Sequence, residues 1–288
     1  MKYHVFVNPT ANRGRGRKLF SYIKRILEKE RFNFNIEFTK GKEETTRQVE
    51  NALEKGAEVI VAAGGDGTVN EVVNGLKGRG VLGIIPIGRG NDIAISLKIP
   101  RNIEKAIKIL KNGKYFKMDL GLVDGRYFVG ITGMGFDAEV NISANKLALK
   151  GPLGYIISVF TTLKRYQAKE CEISFDGNRW KGKITLVAVG NTKNYAGGMK
   201  ILPYSSLDDG YFDICLIEKI SPFELILHFP LIFFGKHTIN PHVKMFRAKE
   251  VKVEGPDDLM ATMDGELIPA KRLVLKNLRQ FQKVIVGR

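Results

Sequence analysis

From residue 3 to residue 110 the chain alternates short apolar runs with amphipathic ones, and this alternation constrains the fold more than any other feature. YHVFVN (3–8), FNIEFT (34–39), EVIVAA (58–63) and GVLGIIPIG (80–88) read as strands. The stretches between them read as helices. GRKLFSYIKRILEKE (16–30) places Leu19, Ile23, Ile26 and Leu27 on one face, and EETTRQVENALEKG (43–56) stops at Gly56. TVNEVVNGL turns Val69, Val72, Val73 and Leu76 inward, and NIEKAIKIL (102–110) follows the fourth strand. Alternation of this kind predicts an α/β domain whose mostly parallel sheet is covered on both faces. Ligands of such sheets bind beyond the carboxyl ends of the strands.

After about residue 120 the pattern changes. RYFVGITGMGF, KECEISFDGNRWKGKITLVAVGN, GYFDICLIE, AKEVKVEG and LMATMDGELI are strand-like and separated by turn residues, with a hairpin expected around Asp176-Gly177-Asn178. Helical patches interrupt them at 138–167 and 222–235. The prediction is a first domain over 1–121 and a β-rich, mainly antiparallel second domain over 122–277. The last strand, QKVIVG (282–287), is expected to be short, and the segment 278–288 to return to the first domain.

The chain has 288 residues and 46 Lys+Arg against 30 Asp+Glu, a net charge of +16 that favours anionic partners. Cys171 and Cys215 form no CxxC pair, and the four histidines lack metal-ligand spacing, which fits a reducing, cytoplasmic setting without structural zinc. The opening MKYHVFVNPT reads as a strand rather than a signal peptide. PFELILHFPLIFFG (222–235) is too short to span a membrane. It is expected to be a buried helix, with a lipid-touching segment as the alternative.

Chemistry concentrates in the strand-end loops. Gly64, Gly65 and Gly67 precede a helix whose amino end favours phosphate. Asp66 would repel that phosphate unless a cation lies between them, which points to a magnesium–nucleotide; the alternative is an aspartate capping its own helix at Thr68. NPTANRGRGRK (8–18) supplies Arg13, Arg15, Arg17 and Lys18. PIGRGNDIA (86–94) supplies Gly88, Gly90 and Asn91, with Asp92 as a second carboxylate near the same metal. No GxxxxGK[ST] occurs. GMGFDA (133–138) matches a dinucleotide fingerprint only loosely and lies in the β-rich half, so a dinucleotide is not expected there.

Together, GGDGTVNEVVNG, NPTAN, GRGNDIA, DDGYFDI and MDGE resemble, in order and over essentially the whole chain, the diacylglycerol kinase catalytic family, including soluble bacterial lipid kinases and sphingosine and ceramide kinases. The resemblance implies an NAD-kinase-like α/β domain followed by a sandwich-like β domain, with ATP between them. It carries ATP binding over to Asn8, Pro9, Thr10, Ala11, Asn12, Thr39, Gly65, Asp66, Gly67, Thr68, Val69, Asn70, Glu71 and Arg89, and places Asp66 and Asp92 in the metal and water network. The family commonly has threonine or serine where this chain has Arg89, so a guanidinium would replace a hydroxyl there.

Asp264 and Glu266 straddle Gly265. Phosphoryl transfer needs a carboxylate to accept the hydroxyl proton. The resemblance assigns that role to Asp264, and Glu266 would support the metal or water network. In SLDDGYFDI (206–214) alternating carboxylates and carbonyls suit a hard cation, and the resemblance implies Mg²⁺ on Ser206, Asp209 and Tyr211. The expected activity is ATP-dependent phosphorylation of a lipid hydroxyl, with diacylglycerol as the implied acceptor, at an anionic membrane surface that the chain binds peripherally. Dimers are common among the relatives. NAD kinase shares GGDGT, but no GSTAY-like nucleoside motif is present. A nucleotide-dependent or nucleic-acid-binding regulator is the rival reading, against which stand the single tryptophan and the lack of an RNP-type strand.

Overall fold

The computed structural model describes residues 1–146, 152–195 and 197–287. The chain divides into two units. One comprises Met1–Leu120, Arg126–Phe128 and Arg279–Arg288, the other Gly121–Gly125 and Val129–Leu278.

The first unit follows the alternation: β1 (Lys2–Val7), α1 (Ala11–Lys29), β2 (Asn33–Phe38), α2 (Lys42–Glu54), β3 (Val59–Gly64), α3 (Asp66–Leu76), β4 (Val81–Pro86), α4 (Asp92–Ser96), α5 (Ile103–Asn112), then β5 (Lys114–Val123) and β6 (Arg126–Phe128). The strands β2, β1, β3 and β4 lie side by side in that order, all parallel. Every residue of β3 is buried, which is why VIVAAG reads as a continuous apolar run rather than an alternating one. Ile23, Ile26 and Leu27 of α1 and Ile107 and Leu110 of α5 pack on Val5, Val61 and Ile85 on one face. Helices α2 and α3 cross closely, because a Cβ on Gly75 would stand 2.6 Å from Val49 Cβ.

The second unit contains β7 (Ile131–Gly135), α6 (Phe136–Lys146), α7 (Pro152–Leu163), β8 (Lys169–Phe175), β9 (Asn178–Gly190), β10 (Phe212–Glu218), α8 (Pro222–His228), β11 (Val243–Ala248), β12 (Glu250–Glu254), β13 (Met260–Met263), β14 (Glu266–Pro269) and β15 (Arg272–Val286). Residues 147–151 of the expected helical patch 138–167 lie outside the described residues. The strands run β14-β13-β7-β9-β8-β12-β15, with β10 between β9 and β11, and those pairings are antiparallel. Strand β7 pairs antiparallel on both sides, so GMGFDA sits in no parallel βαβ unit. Its Gly133 makes room for Asp137, whose Oδ2 would lie 2.2 Å from a Cβ there. Asp137 Oδ2 accepts the Thr262 hydroxyl at 2.5 Å.

Two expectations change. The short strand at 282–287 is the end of β15, which gives Arg272–Leu278 to the second unit and Arg279–Val286 to the first, where Lys283 and Val284 pair in parallel with β4. The regular part of α1 begins only after Asn12, Arg13 and Gly14, which are left-handed. The segment 222–235 is not a buried helix: α8 stops at His228, a 3₁₀ turn covers Phe229–Phe234, and no side chain of α8 is buried. Pro230 lacks the N–H that a longer α-helix needs. Strands β5 and β11 were not expected from the sequence.

Two asparagines tie β6 to α3. Asn74 accepts the Tyr127 N–H at 2.9 Å and donates to the Tyr127 carbonyl at 2.8 Å, and Asn70 donates to that carbonyl at 3.2 Å. Asn74→Ala is expected to lower the unfolding free energy by about 1–3 kcal/mol, measured by urea melts.

Burial holds the imidazoles of His4 and His237 below the ordinary value of 6.5. The unfolded chain therefore takes up protons near pH 6.5 that the folded one refuses, and stability falls as pH drops from the unfolded value toward the folded ones. Urea midpoints at about pH 7.5 and about pH 5.5 should show the lower value at the acid pH, and His237→Gln should shrink the gap.

Candidate active site

Three loops at the carboxyl ends of β1, β3 and β4 are bound to one another. Asn8 Nδ2 donates to Thr68 Oγ1 at 2.8 Å, while Asn8 Oδ1 accepts the Thr10 N–H at 2.9 Å and the Thr10 hydroxyl at 2.8 Å. One asparagine thus fixes its own turn and the start of α3. Gly16 folds back onto this turn so tightly that a Cβ would meet the Asn8 carbonyl oxygen at 1.9 Å. Thr39 is buried at the end of β2, where its N–H extends the ladder to the Val7 carbonyl at 3.0 Å.

The loops after β3 and β4 touch through their glycines. A Cβ on Gly88 would stand 2.4 Å from Gly65 Cα, and one on Gly64 would stand 2.3 Å from Thr68 Oγ1. The Gly64 carbonyl accepts the N–H groups of Ile87 and Gly88 at 3.0 and 3.2 Å. Asn91, in the left-handed region at φ 57°, closes its loop by bonding both polar groups of Gly88.

Asp66 does not cap its own helix. Gly65 holds the N-cap position of α3, and Asp66 Oδ1 accepts the Ile93 N–H at 2.9 Å, at the start of α4. Its charge is thus partly balanced by the next loop. The other oxygen, Oδ2, and Asp92 Oδ2 each lie 3.3 Å from the place a Cβ on Gly90 would take. Two carboxylates therefore face the same small space over a residue without a side chain, a donor set that suits a hard divalent cation. The exposed Gly67 and the main-chain N–H groups of the first turn of α3 lie beside Asp66. Val69 departs from the expected contact set: its side chain is in the core and its N–H is bonded to the Gly65 carbonyl. Asn70 is held by Tyr127, and Glu71 is half-buried. Arg89, Arg13, Arg15, Arg17 and Lys18 are all exposed. Pro9 and Asn12 are half-buried, and Ala11 is buried at 8%.

In the second unit MDGE forms the hairpin between β13 and β14, with Asp264 and Gly265 both left-handed at φ 48° and 85°. The Asp264 carboxylate turns back onto the start of β7. Oδ2 accepts the Val129 N–H at 2.8 Å, and Oδ1 accepts those of Gly130 and Ile131 at 2.9 and 3.2 Å. A Cβ on Gly130 would stand 2.7 Å from Oδ1, so only glycine leaves the carboxylate its place. Glu266 opens β14, half-buried, opposite Met263.

The turn over 206–211 is closed by internal bonds. Ser206 Oγ donates to Asp208 Oδ1 at 2.6 Å, Tyr211 N–H donates to Asp209 Oδ1 at 3.0 Å, and Arg247 pairs with Asp209 Oδ2. Arg247 also lies over the Tyr211 ring, 5.0 Å from its centroid. A metal on Asp209 would have to displace that guanidinium, so the turn as arranged fits Arg247 better than Mg²⁺. No group of three or more His, Cys, Asp or Glu side chains placed to hold a metal occurs among the described residues. Burial pushes the nearby Asp213 carboxyl up, and Arg247 opposes the shift.

Sequence reasoning missed the Val129–Ile131 amides, Asn74 and Arg247. The amides carry no side-chain signature; Arg247 lies on β11, a strand with a weak apolar pattern.

Residues 2–123 match a family model described as the diacylglycerol kinase catalytic domain, and residues 130–285 match one described as the YegS C-terminal NAD kinase beta sandwich-like domain. A protein named diacylglycerol kinase from Staphylococcus aureus (strain bovine RF122 / ET3-1) is 34% identical over 280 residues, covering 94% of this chain and 89% of its own. Its namesake from strain JH9 is 35% identical over 286 residues, with the same coverage. A crystal structure of a diacylglycerol kinase from Bacillus anthracis str. Sterne superposes with a TM-score of 0.80 at 25% identity, covering 99% of this chain and 97% of that one. Another structure from the same organism reaches 0.81 at 28% identity with the same coverage.

Proposed function

Because this chain belongs to the diacylglycerol kinase family and is a lipid kinase, we propose that it transfers the γ-phosphoryl group of ATP to the free hydroxyl of diacylglycerol, giving phosphatidic acid and ADP. One observation carries the nucleotide half of this reading: Asp66 and Asp92 converge over Gly90, beside the amino end of α3. An isolated anion site would not place two carboxylates there, whereas a polyphosphate bearing Mg²⁺ requires them.

Asp66 and Asp92 would hold the cation, and the first-turn N–H groups of α3 would meet phosphate oxygens. Asn8, through Thr68, keeps the first loop against that turn. Bound Mg²⁺ would neutralise charge on the transferring phosphate. Arg89 and the basic residues over 13–18 are exposed cations available to the outer phosphates.

Asp264 is assigned as the group that accepts the proton of the lipid hydroxyl. Its amide partners suit the ionised form and fix the direction of the carboxylate. The hydroxyl oxygen forms a bond to the γ-phosphorus as the bond from phosphorus to the β–γ bridging oxygen breaks, and the hydroxyl proton passes to Asp264. Glu266 would support the metal or water network.

The test is transfer of labelled γ-phosphate from Mg-ATP, with and without diacylglycerol in anionic mixed micelles. Label entering a chloroform-soluble product supports the reading, and other lipid alcohols can then be compared. Label entering NAD instead, or no transfer to any lipid by folded protein that binds ATP, would sink it.

A further inference from the structure

We propose that the second unit docks on an anionic lipid surface through an apolar face built by α7, α8 and the 3₁₀ turn after it. This inference rests on the lipid kinase reading and names the surface by which the enzyme would reach its acceptor.

Helix α8 is apolar on two sides. Leu225, with Phe229 one turn on, packs inward on a cluster of Phe136 and Val140 from α6 and Val159 and Leu163 from α7. Its other side is also apolar: Phe223 is 74% exposed and Leu227 61%, and Phe234 in the 3₁₀ turn is 71% exposed. Helix α7 repeats the pattern. Ser158, Val159, Thr162 and Leu163 are buried, while Ile157 and Phe160 stand out on the opposite stripe, which continues to the exposed Lys164. The two helices share one small core, so their outer stripes belong to neighbouring surfaces. Scattered exposed apolar residues are ordinary, whereas a concentration of aromatic and aliphatic side chains on adjacent elements marks an interaction site.

Charge selects the occupant. Lys219 precedes α8, Lys236 follows the 3₁₀ turn, Lys164 and Arg165 follow α7, and all are exposed. Lys200 joins them, since its N–H donates to the Ile232 carbonyl. The acidic groups nearby are engaged: Glu224 closes the capping box of α8 with Ser221, and Glu218 accepts from Trp180 and Lys244. An apolar centre with a cationic rim is the pattern of an interfacial anchor on anionic lipid. No described helix is long and apolar enough to cross a membrane.

The test compares the wild type with the double variant Phe223→Ser/Phe234→Ser by co-sedimentation with phosphatidylcholine vesicles, with and without phosphatidylglycerol. Wild-type binding should require phosphatidylglycerol and weaken with salt. The double variant should bind on the order of tenfold or more less tightly. It should keep its thermal midpoint and its transfer rate on a short-chain, monomeric diacylglycerol. A variant that sediments like the wild type, or a wild type that ignores the vesicles, overturns the proposal. So does a wild-type dimer that the substitutions convert to a monomer with vesicle binding intact, because a second copy of the chain would then be the occupant. Loss of vesicle binding alone leaves the assigned reaction standing, and failure on the monomeric acceptor by the wild type strikes the reaction instead.

Discussion

Asp264→Asn is expected to lower phosphoryl transfer by about 10²–10⁴-fold, the range usual for loss of a positioned proton acceptor. Asparagine is the informative replacement because position 264 is left-handed, at φ 48°, where asparagine is tolerated better than alanine. The turn should survive. The amide keeps one oxygen for the N–H groups of Val129, Gly130 and Ile131 but turns an NH₂ toward the rest. Donor would face donor, at a cost of about 1–3 kcal/mol. A urea melt should therefore show modest destabilisation beside a far larger loss of turnover, with ATP affinity nearly unchanged. Equal losses of stability and activity would mean that Asp264 only holds the hairpin, and an active variant would remove it from the chemistry.

The second large effect is expected from Gly88→Ala. The new Cβ would stand 2.4 Å from Gly65 Cα, a distance no side-chain rotation relieves because the obstacle is backbone. The β3 and β4 loops must separate, moving Asp66 away from the Ile93 N–H that it accepts at 2.9 Å. Overpacking of this kind costs about 1–3 kcal/mol in stability. The cost to nucleotide binding should be greater, on the order of 10²-fold, because misplacing a phosphate contact by a fraction of an ångström spoils the geometry of transfer. Titration with a non-hydrolysable ATP analogue and Mg²⁺ reads this directly. Unchanged affinity would mean that the two loops need not meet for nucleotide to bind.

The first half of the molecule was legible for a physical reason. Parallel strands buried on both faces must be apolar without interruption, so VIVAAG and VLGIIP announce themselves, and the glycines that follow mark close backbone approaches. The placement of Asp66 was not legible. Nothing in GGDGT says that its carboxylate will accept the amide of Ile93, because that bond exists only once β3 and β4 are neighbours. The Asp264 site divides in the same way. MDGE shares with FDGN the Asp-Gly pair of a two-residue hairpin, and both pairs are left-handed. Its distinguishing property comes from three main-chain N–H groups elsewhere in the chain, and main-chain donors leave no trace in residue types. The apolar stretch 222–235 misled for a related reason, since composition shows that a segment is greasy but not whether protein covers it.

The route of β15 bears on how the protein is made. Near its end, Lys283 and Val284 pair with Val81 and Leu82 at the edge of the parallel sheet. That edge strand therefore waits, with its ladder groups unmatched, until the second unit and the residues after it have been synthesised. Domains at the amino end usually finish folding while synthesis continues. Here the amino-terminal unit is completed by residues that follow the second unit in the chain, so nascent chains stalled before residue 279 should carry an open strand edge and should be the species that chaperones hold.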